Sequence, residues 1–198
     1  MPLYQIHHSC SLSSAQQQAI ASGITNLHCS TFSAPSAFVN ITFHPTSTIS
    51  PQIYVGGTPQ RTNYILGHLR PRPNNAEKLN HVVKAIMSIW NEHARPVDRL
   101  LVQTKLGQTT VNLLEKAKEV TGVGYKPKSG DGRLDDERAL HNVFLFEDLA
   151  AGAEQGFVLP VAGEDGEWAK ENMAEFARRA ADGDESMKKL VQEYKAKL

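Results

Sequence analysis

The feature that most constrains this chain is a strand-helix-strand pattern that occurs twice. Pro2-Leu3-Tyr4-Gln5-Ile6-His7 reads as a short strand, and Ser13-Ser14-Ala15-Gln16 reads as a helix start with a capping box. Ile20, Ile24 and Leu27 follow at helical spacing and give that helix an apolar face. Ala37, Val39, Ile41 and Phe43 then alternate with Phe38, Asn40, Thr42 and His44 at the period of a strand. The pattern restarts at Asn63, with Tyr64, Leu66, His68 and Arg70 on one strand face and Ile65 and Leu69 on the other. Asn74-Asn75-Ala76-Glu77 predicts a helix cap, and Leu79, Val82, Val83, Ile86 and Trp90 predict an amphipathic helix that ends near Arg95-Pro96. A further strand is predicted over residues 142–149. These readings define an α/β (α+β) fold of tandem β-α-β units.

What lies between and after the repeats is less regular. Residues 45–61 predict a turn-rich excursion with a small hairpin arm around Ile53-Tyr54-Val55. Residues 98–106 suit a strand or a helix, residues 111–120 suit a helix, and residues 122–133 form a loop rich in Gly, Lys and Asp. Gly122-Val123-Gly124 with Lys126 and Lys128 lacks the Gly-Lys-Ser/Thr ending of a phosphate loop. The tail from Gly163 sets Trp168, Phe176, Met187, Leu190 and Tyr194 among many charges, which predicts amphipathic helices wrapping the body or a neighbouring subunit. A length of 198 residues suits one domain with decorations. Its expected parts are a first unit over residues 1–61, a second over 62–160 with an insertion at about 97–141, and a helical tail over 161–198.

Lys and Arg number 21 and are balanced by 21 Asp and Glu, so no global field favours nucleic acid or an anionic membrane. Cys10 and Cys29 give neither a disulfide framework nor a zinc spacing. The adjacent His7 and His8 point to opposite strand faces, and no metal is expected. No basic leader with an apolar run and no long apolar stretch is present, so a cytoplasmic protein is expected. The expected partner is a small molecule.

Pro2 opens a strand that should lie inside a sheet. Once Met1 is removed, its secondary amine is partly buried, and burial and nearby cations lower an amine's pKa from the free value of roughly 7.7–8.0. An amine tuned near neutrality can take or give a proton. Arg70 and Arg72, stiffened by Pro71 and Pro73, offer planar forks for a carboxylate. His28 is a candidate second carboxylate ligand.

Pro2-Leu3-Tyr4, the helix ending Ile24-Thr25-Asn26-Leu27-His28, the second unit with Arg70, and Glu154-Gln155-Gly156-Phe157-Val158-Leu159-Pro160 followed by Gly166-Glu167-Trp168 carry a resemblance. In these residues the chain resembles the cis-3-chloroacrylic acid dehalogenase group of the tautomerase superfamily, whose fold is that of 4-oxalocrotonate tautomerase. The resemblance implies a homotrimer without a cofactor, acting on a small carboxylate. It implies Pro2 as proton donor or acceptor, Glu154 as the carboxylate that activates water, and Arg70 and His28 as the clamp. Where the family has a second arginine, three positions after the first, this chain has Pro73, with Arg72 one residue earlier. Where the family has a tyrosine before the glutamate, this chain has Phe144, Leu145 and Phe146. The activity implied is dehalogenation or hydration of a cis-3-haloacrylate, or keto–enol tautomerisation. The alternative is a binding or regulatory protein of the same fold without significant catalysis.

Overall fold

The computed structural model describes residues 2–46, 53–95, 126 and 128–196. Strand β1 (Leu3–His8), helix α1 (Ser14–Phe32), a 3-10 turn (Ser36–Phe38) and strand β2 (Asn40–Pro45) make the first unit. A small hairpin of β3 (Ile53–Val55) and β4 (Thr58–Gln60) separates it from the second, built of β5 (Tyr64–His68), α2 (Ala76–His93) and β6 (Asn142–Phe146). Strands β7 (Ala153–Glu154) and β8 (Phe157–Val158) and helices α3 (Asp165–Ala181) and α4 (Glu185–Lys195) follow. The readings over residues 98–106 and 111–120, and residues 122–125 and 127 of the glycine-rich loop, lie outside the described residues.

The sheet runs β2-β1-β5-β6. β1 and β2 are parallel, β5 and β6 are parallel, and the two units meet antiparallel at β1 and β5. A parallel pair needs a long crossover, which α1 provides in the first unit. The capping box is formed: Gln16 N–H donates to Ser13 Oγ and Ser13 N–H donates to Gln16 Oε1. At the second helix Asn75 is the cap residue but makes no side-chain cap bond, because its amide donates to Glu147 instead. The strand predicted from Ala37 begins later, at Asn40, since residues 36–38 turn tightly to bring Phe38 into the interior.

Both helices cover one sheet face, where Tyr4, Ile6, Ile65 and Leu69 meet Ile20, Ile24, Val82, Ile86 and Trp90 in the main core. Gly67 lies in this layer because a side chain there would meet Leu145 Cδ2 at 2.5 Å and the Tyr4 ring at 2.9 Å. The other sheet face carries Gln5, His7, Thr42, His44, Tyr64, His68, Phe144 and Phe146, and among the described residues no helix lies over it. His7 stacks on His44 and Tyr64 there, while Phe144 and Phe146 stay 51% and 41% exposed.

The tail packs on its own chain. Trp168, Ala169, Phe176, Met187 and Leu190 close a second core around Phe38 and Phe157. Among the described residues no helix is long and apolar enough to cross a membrane.

Candidate functional site

Pro2 stands just ahead of β1 and is buried. Its carbonyl accepts from Asn40 N–H at 3.1 Å, which extends the β1–β2 ladder and fixes the amino-terminal end of the sheet. Glu154 reaches the same place from the β7–β8 hairpin, whose two turn residues, Gln155 and Gly156, both have positive φ (51° and 90°). That pair of left-handed residues is what a two-residue hairpin turn with the twist of its strands requires. The turn is held from both sides: Gln155 Nε2 donates to Ala37 O at 3.0 Å, and Arg179 of α3 donates to Gln155 O at 2.6 Å.

Between these elements lies a cavity of about 480 Å³, lined by Pro2, Asn40, Thr42, Arg70 and Glu154 and walled by Leu149–Ala153, Leu159, Pro160 and Val161. Glu154 Oε1 accepts from Asn40 Nδ2, and Glu154 Oε2 is buried without a hydrogen-bond partner. Burial raises the Glu154 pKa, opposed by the amino terminus, the Asn40 bond and Arg70. A carboxyl so placed holds a proton more readily than one in water.

Arg70 leaves the end of β5 and is 7% exposed. Its two terminal nitrogens donate within the chain, Nη1 to Pro160 O at 2.6 Å and Nη2 to Asp165 Oδ1 at 2.5 Å. Its Nε is buried without a partner. Asp165 opens α3, and its other oxygen lies 3.6 Å from Arg72 Nη2. The Arg72 guanidinium sits 4.9 Å from the Phe32 ring centre, and its backbone N–H donates to Glu147.

His28 and Arg72 do not line the cavity. They border a separate cleft of about 10 Å³ with Phe32, Leu69, Asn75 and the far side of Arg70, at the lower limit for a single water. His28 is 4% exposed, shares a 3.0 Å hydrogen bond with the Tyr4 hydroxyl and packs on Phe32. The structure thus brings Pro2, Glu154 and Arg70 together and places His28 and Arg72 behind Arg70. Asn40, Thr42 and Asp165 were missed as site residues. Asn40 and Thr42 were legible as members of an alternating strand face, whereas Asp165 carries no local signal.

Burial, with the amino terminus, Arg72 and Arg70 acting in the same direction, pushes the His28 pKa down to about 3. The folded chain keeps this ring neutral where an unfolded chain, near 6.5, takes up a proton. Stability from this group is therefore full above pH 6.5 and falls as pH drops from 6.5 toward 3, by about 1.4 kcal/mol per unit at most. We expect urea midpoints of the wild-type chain to decline through that window, and His28→Asn to flatten the decline. Equal slopes in the two proteins would show that His28 is not the group responsible.

The family described as "Putative oxalocrotonate tautomerase enzyme" matches residues 1–116. No curated protein sequence matches. Among solved structures, N1, a member of the cis-3-chloroacrylic acid dehalogenase family, is 14% identical with a TM-score of 0.49, over 91% of this chain and 99% of its own. MIF2 of Leishmania major is 13% identical with a TM-score of 0.44, over 80% of this chain and 97% of its own. A fused 4-OT described as a symmetric trimer is 14% identical with a TM-score of 0.43, over 78% and 95% of the two chains.

Proposed function

This chain belongs to the putative oxalocrotonate tautomerase family, and on that footing we propose that the Pro2 amine, freed by removal of Met1, transfers a proton on a small unsaturated or enolic substrate. The observation that carries the reading is the shared cavity: Pro2 and Glu154 border one space large enough for a substrate, with Arg70 at its edge. Neutral Pro2 takes a proton from the carbon next to a carbonyl. The C–H electron pair forms the new C=C bond, and the carbonyl pair moves to oxygen, which takes a proton from the carboxyl of Glu154 or from water. The reverse steps return the keto form.

With Pro2 protonated instead, Glu154 would draw a proton from water, water would attack the far alkene carbon, and the amine would protonate the near one; that is hydration, and for a 3-haloacrylate the resulting halohydrin then loses its hydroxyl proton and expels halide to leave an aldehyde. Asn40 favours the first reaction. It is the residue bonded to Glu154, and an amide cannot relay a proton as the family's tyrosine can. Arg70 supplies positive charge beside the reacting carbonyl, and His28 and Arg72 support it from behind.

We take the chain as a single domain and propose a homotrimer assembled through the open sheet face. Exposed Phe144 and Phe146 support that face as a contact, since apolar rings grouped on an uncovered sheet gain from burial. Light scattering should give three times the monomer mass.

The direct experiment is intact-protein mass spectrometry before and after 3-bromopyruvate, with peptide mapping. We expect a chain lacking Met1 that carries one adduct, on Pro2. Retained Met1, or adducts confined to Cys10 and Cys29, would overturn the catalytic reading and leave a binding protein of this fold.

A further inference from the structure

We propose that this cavity selects an uncharged carbonyl compound with an apolar arm over the corresponding free carboxylate, and that Asp165 sets this preference by holding Arg70. The proposal rests on the reading of the cavity as the reaction site and narrows its substrate class.

The charges on the page balance before any ligand enters. Arg70 and Glu154 are the two formally charged side chains among the cavity's described lining residues. The Arg70 charge is already met by Asp165 at 2.5 Å, in a pair whose side chains are 6% and 9% exposed. Arg72 adds a second positive charge 3.6 Å from the same Asp165, and Glu147, which accepts from the Arg72 backbone N–H, offsets it. What remains at the cavity is Glu154, whose Oε2 is buried without a partner, and Pro2, whose amine is free once Met1 is removed. An entering anion therefore meets no net positive field.

The guanidinium is also already engaged in part. Both terminal nitrogens of Arg70 are engaged by Pro160 O and Asp165 at 2.5–2.6 Å. A ligand carboxylate would have to lie beside Asp165, adding like charge next to a buried carboxylate, or displace it and leave that carboxylate without its closest partner, and breaking a buried pair in this way is strongly unfavourable. Asp165 is also not free to swing away. It opens α3, and Trp168 in the next turn donates its indole N–H to Val158 O at 2.9 Å and packs against Phe38 and Phe157. A neutral carbonyl oxygen asks for no such displacement.

The walls point to the rest of the ligand. Leu149, Ala150, Ala151, Leu159 and Val161 offer apolar surface to the cavity. A volume of about 480 Å³ lies within the range of roughly 300–1,000 Å³ that encloses drug-sized ligands, and a three-carbon acid would leave most of it to water. An aliphatic or aryl arm fills that space and removes the apolar wall from water.

The test is titration calorimetry on the full chain at pH 7 with hexanamide, hexanoate and propanamide. Hexanamide is expected to bind at least tenfold more tightly than hexanoate, and at least tenfold more tightly than propanamide. Asp165→Asn should release Arg70 and reverse the order of hexanamide and hexanoate. Ala151→Trp, at an exposed wall position, should erase the advantage of the six-carbon arm over propanamide. The wild-type comparison decides the matter even if Asp165→Asn fails to fold. Hexanoate binding as tightly as hexanamide, or binding by neither, would overturn the proposal. Selective hexanamide binding by a chain whose Pro2 resists alkylation by the uncharged bromoacetone as well would leave the selectivity standing and overturn the proton-transfer reading; preference for hexanoate in a chain alkylated at Pro2 would do the reverse.

Discussion

A variant that keeps one extra residue ahead of Pro2 is expected to lose activity by about 10²–10⁴-fold, the range attributed to a positioned acid or base. The added residue turns the Pro2 nitrogen into an amide, whose lone pair is delocalised and no longer basic. Pro2 borders the cavity from the end of the sheet, so the change falls at the reacting group. Glu154→Gln should cost a comparable factor, because its replacement keeps the bond to Asn40 but cannot give or take the proton. If both groups act in one proton transfer, the double variant will be little slower than the worse single one, as groups that act as a unit are far from additive. The rate assay would use an enolisable keto acid or ester followed by its enol absorbance. Undiminished turnover with the Pro2 nitrogen blocked would remove proline from the mechanism.

The second large effect concerns the tail. Phe176→Ala is expected to destabilise the second core by about 3–5 kcal/mol, the usual penalty for emptying a buried aromatic position. Phe176 is fully buried and lies 4.8 Å from Phe157 and 5.6 Å from Trp168, ring centre to ring centre. The chain has two tryptophans, and one sits in each core: Trp90 in the main one, Trp168 in the second. Urea unfolding followed in Trp90→Phe and Trp168→Phe backgrounds can thus report each core separately. In the Phe176→Ala protein the Trp168 transition should move to lower urea well before that of Trp90. Carboxylate ligands should also gain affinity, since loosening α3 loosens Asp165 from Arg70. A small shift, shared equally by both tryptophans, would mean that the tail is no distinct layer and that its packing does not hold the site.

These two expectations draw on different levels of information. The amino-acid sequence by itself determined the repeated architecture, because strand alternation and helical spacing are local periodicities. Tyr4 and Ile6 alternate with Leu3 and Gln5, Ile20 and Ile24 share a helix face, Val82, Ile86 and Trp90 share another, and each set is buried in the fold. Capping at Ser13 and Gln16 was equally legible, being a contact over three positions. Where a local signal competed with a distant partner it misled: Asn75 turned its amide to Glu147, 72 positions away, and Ala37 entered a tight turn that buries its neighbour Phe38.

The composition of the site was decided by tertiary structure. Residue type points to Pro2 and Arg70, and resemblance adds Glu154, but periodicity does not specify that three residues so far apart border one cavity. His28 lies on the buried face of α1 by the same spacing that buries Ile24, and that burial sends it to Tyr4 and away from the cavity. Asp165 meets Arg70 across 95 positions of chain. No spacing rule links a strand end to the first turn of a helix in the tail, and the pair exists because the second core, closed by Trp168 and Phe176, carries α3 to that point. Sequence patterns fix which face of an element seeks the interior. Which charged groups then meet is settled only when the layers pack, since burial is what makes an unpaired charge too costly to leave.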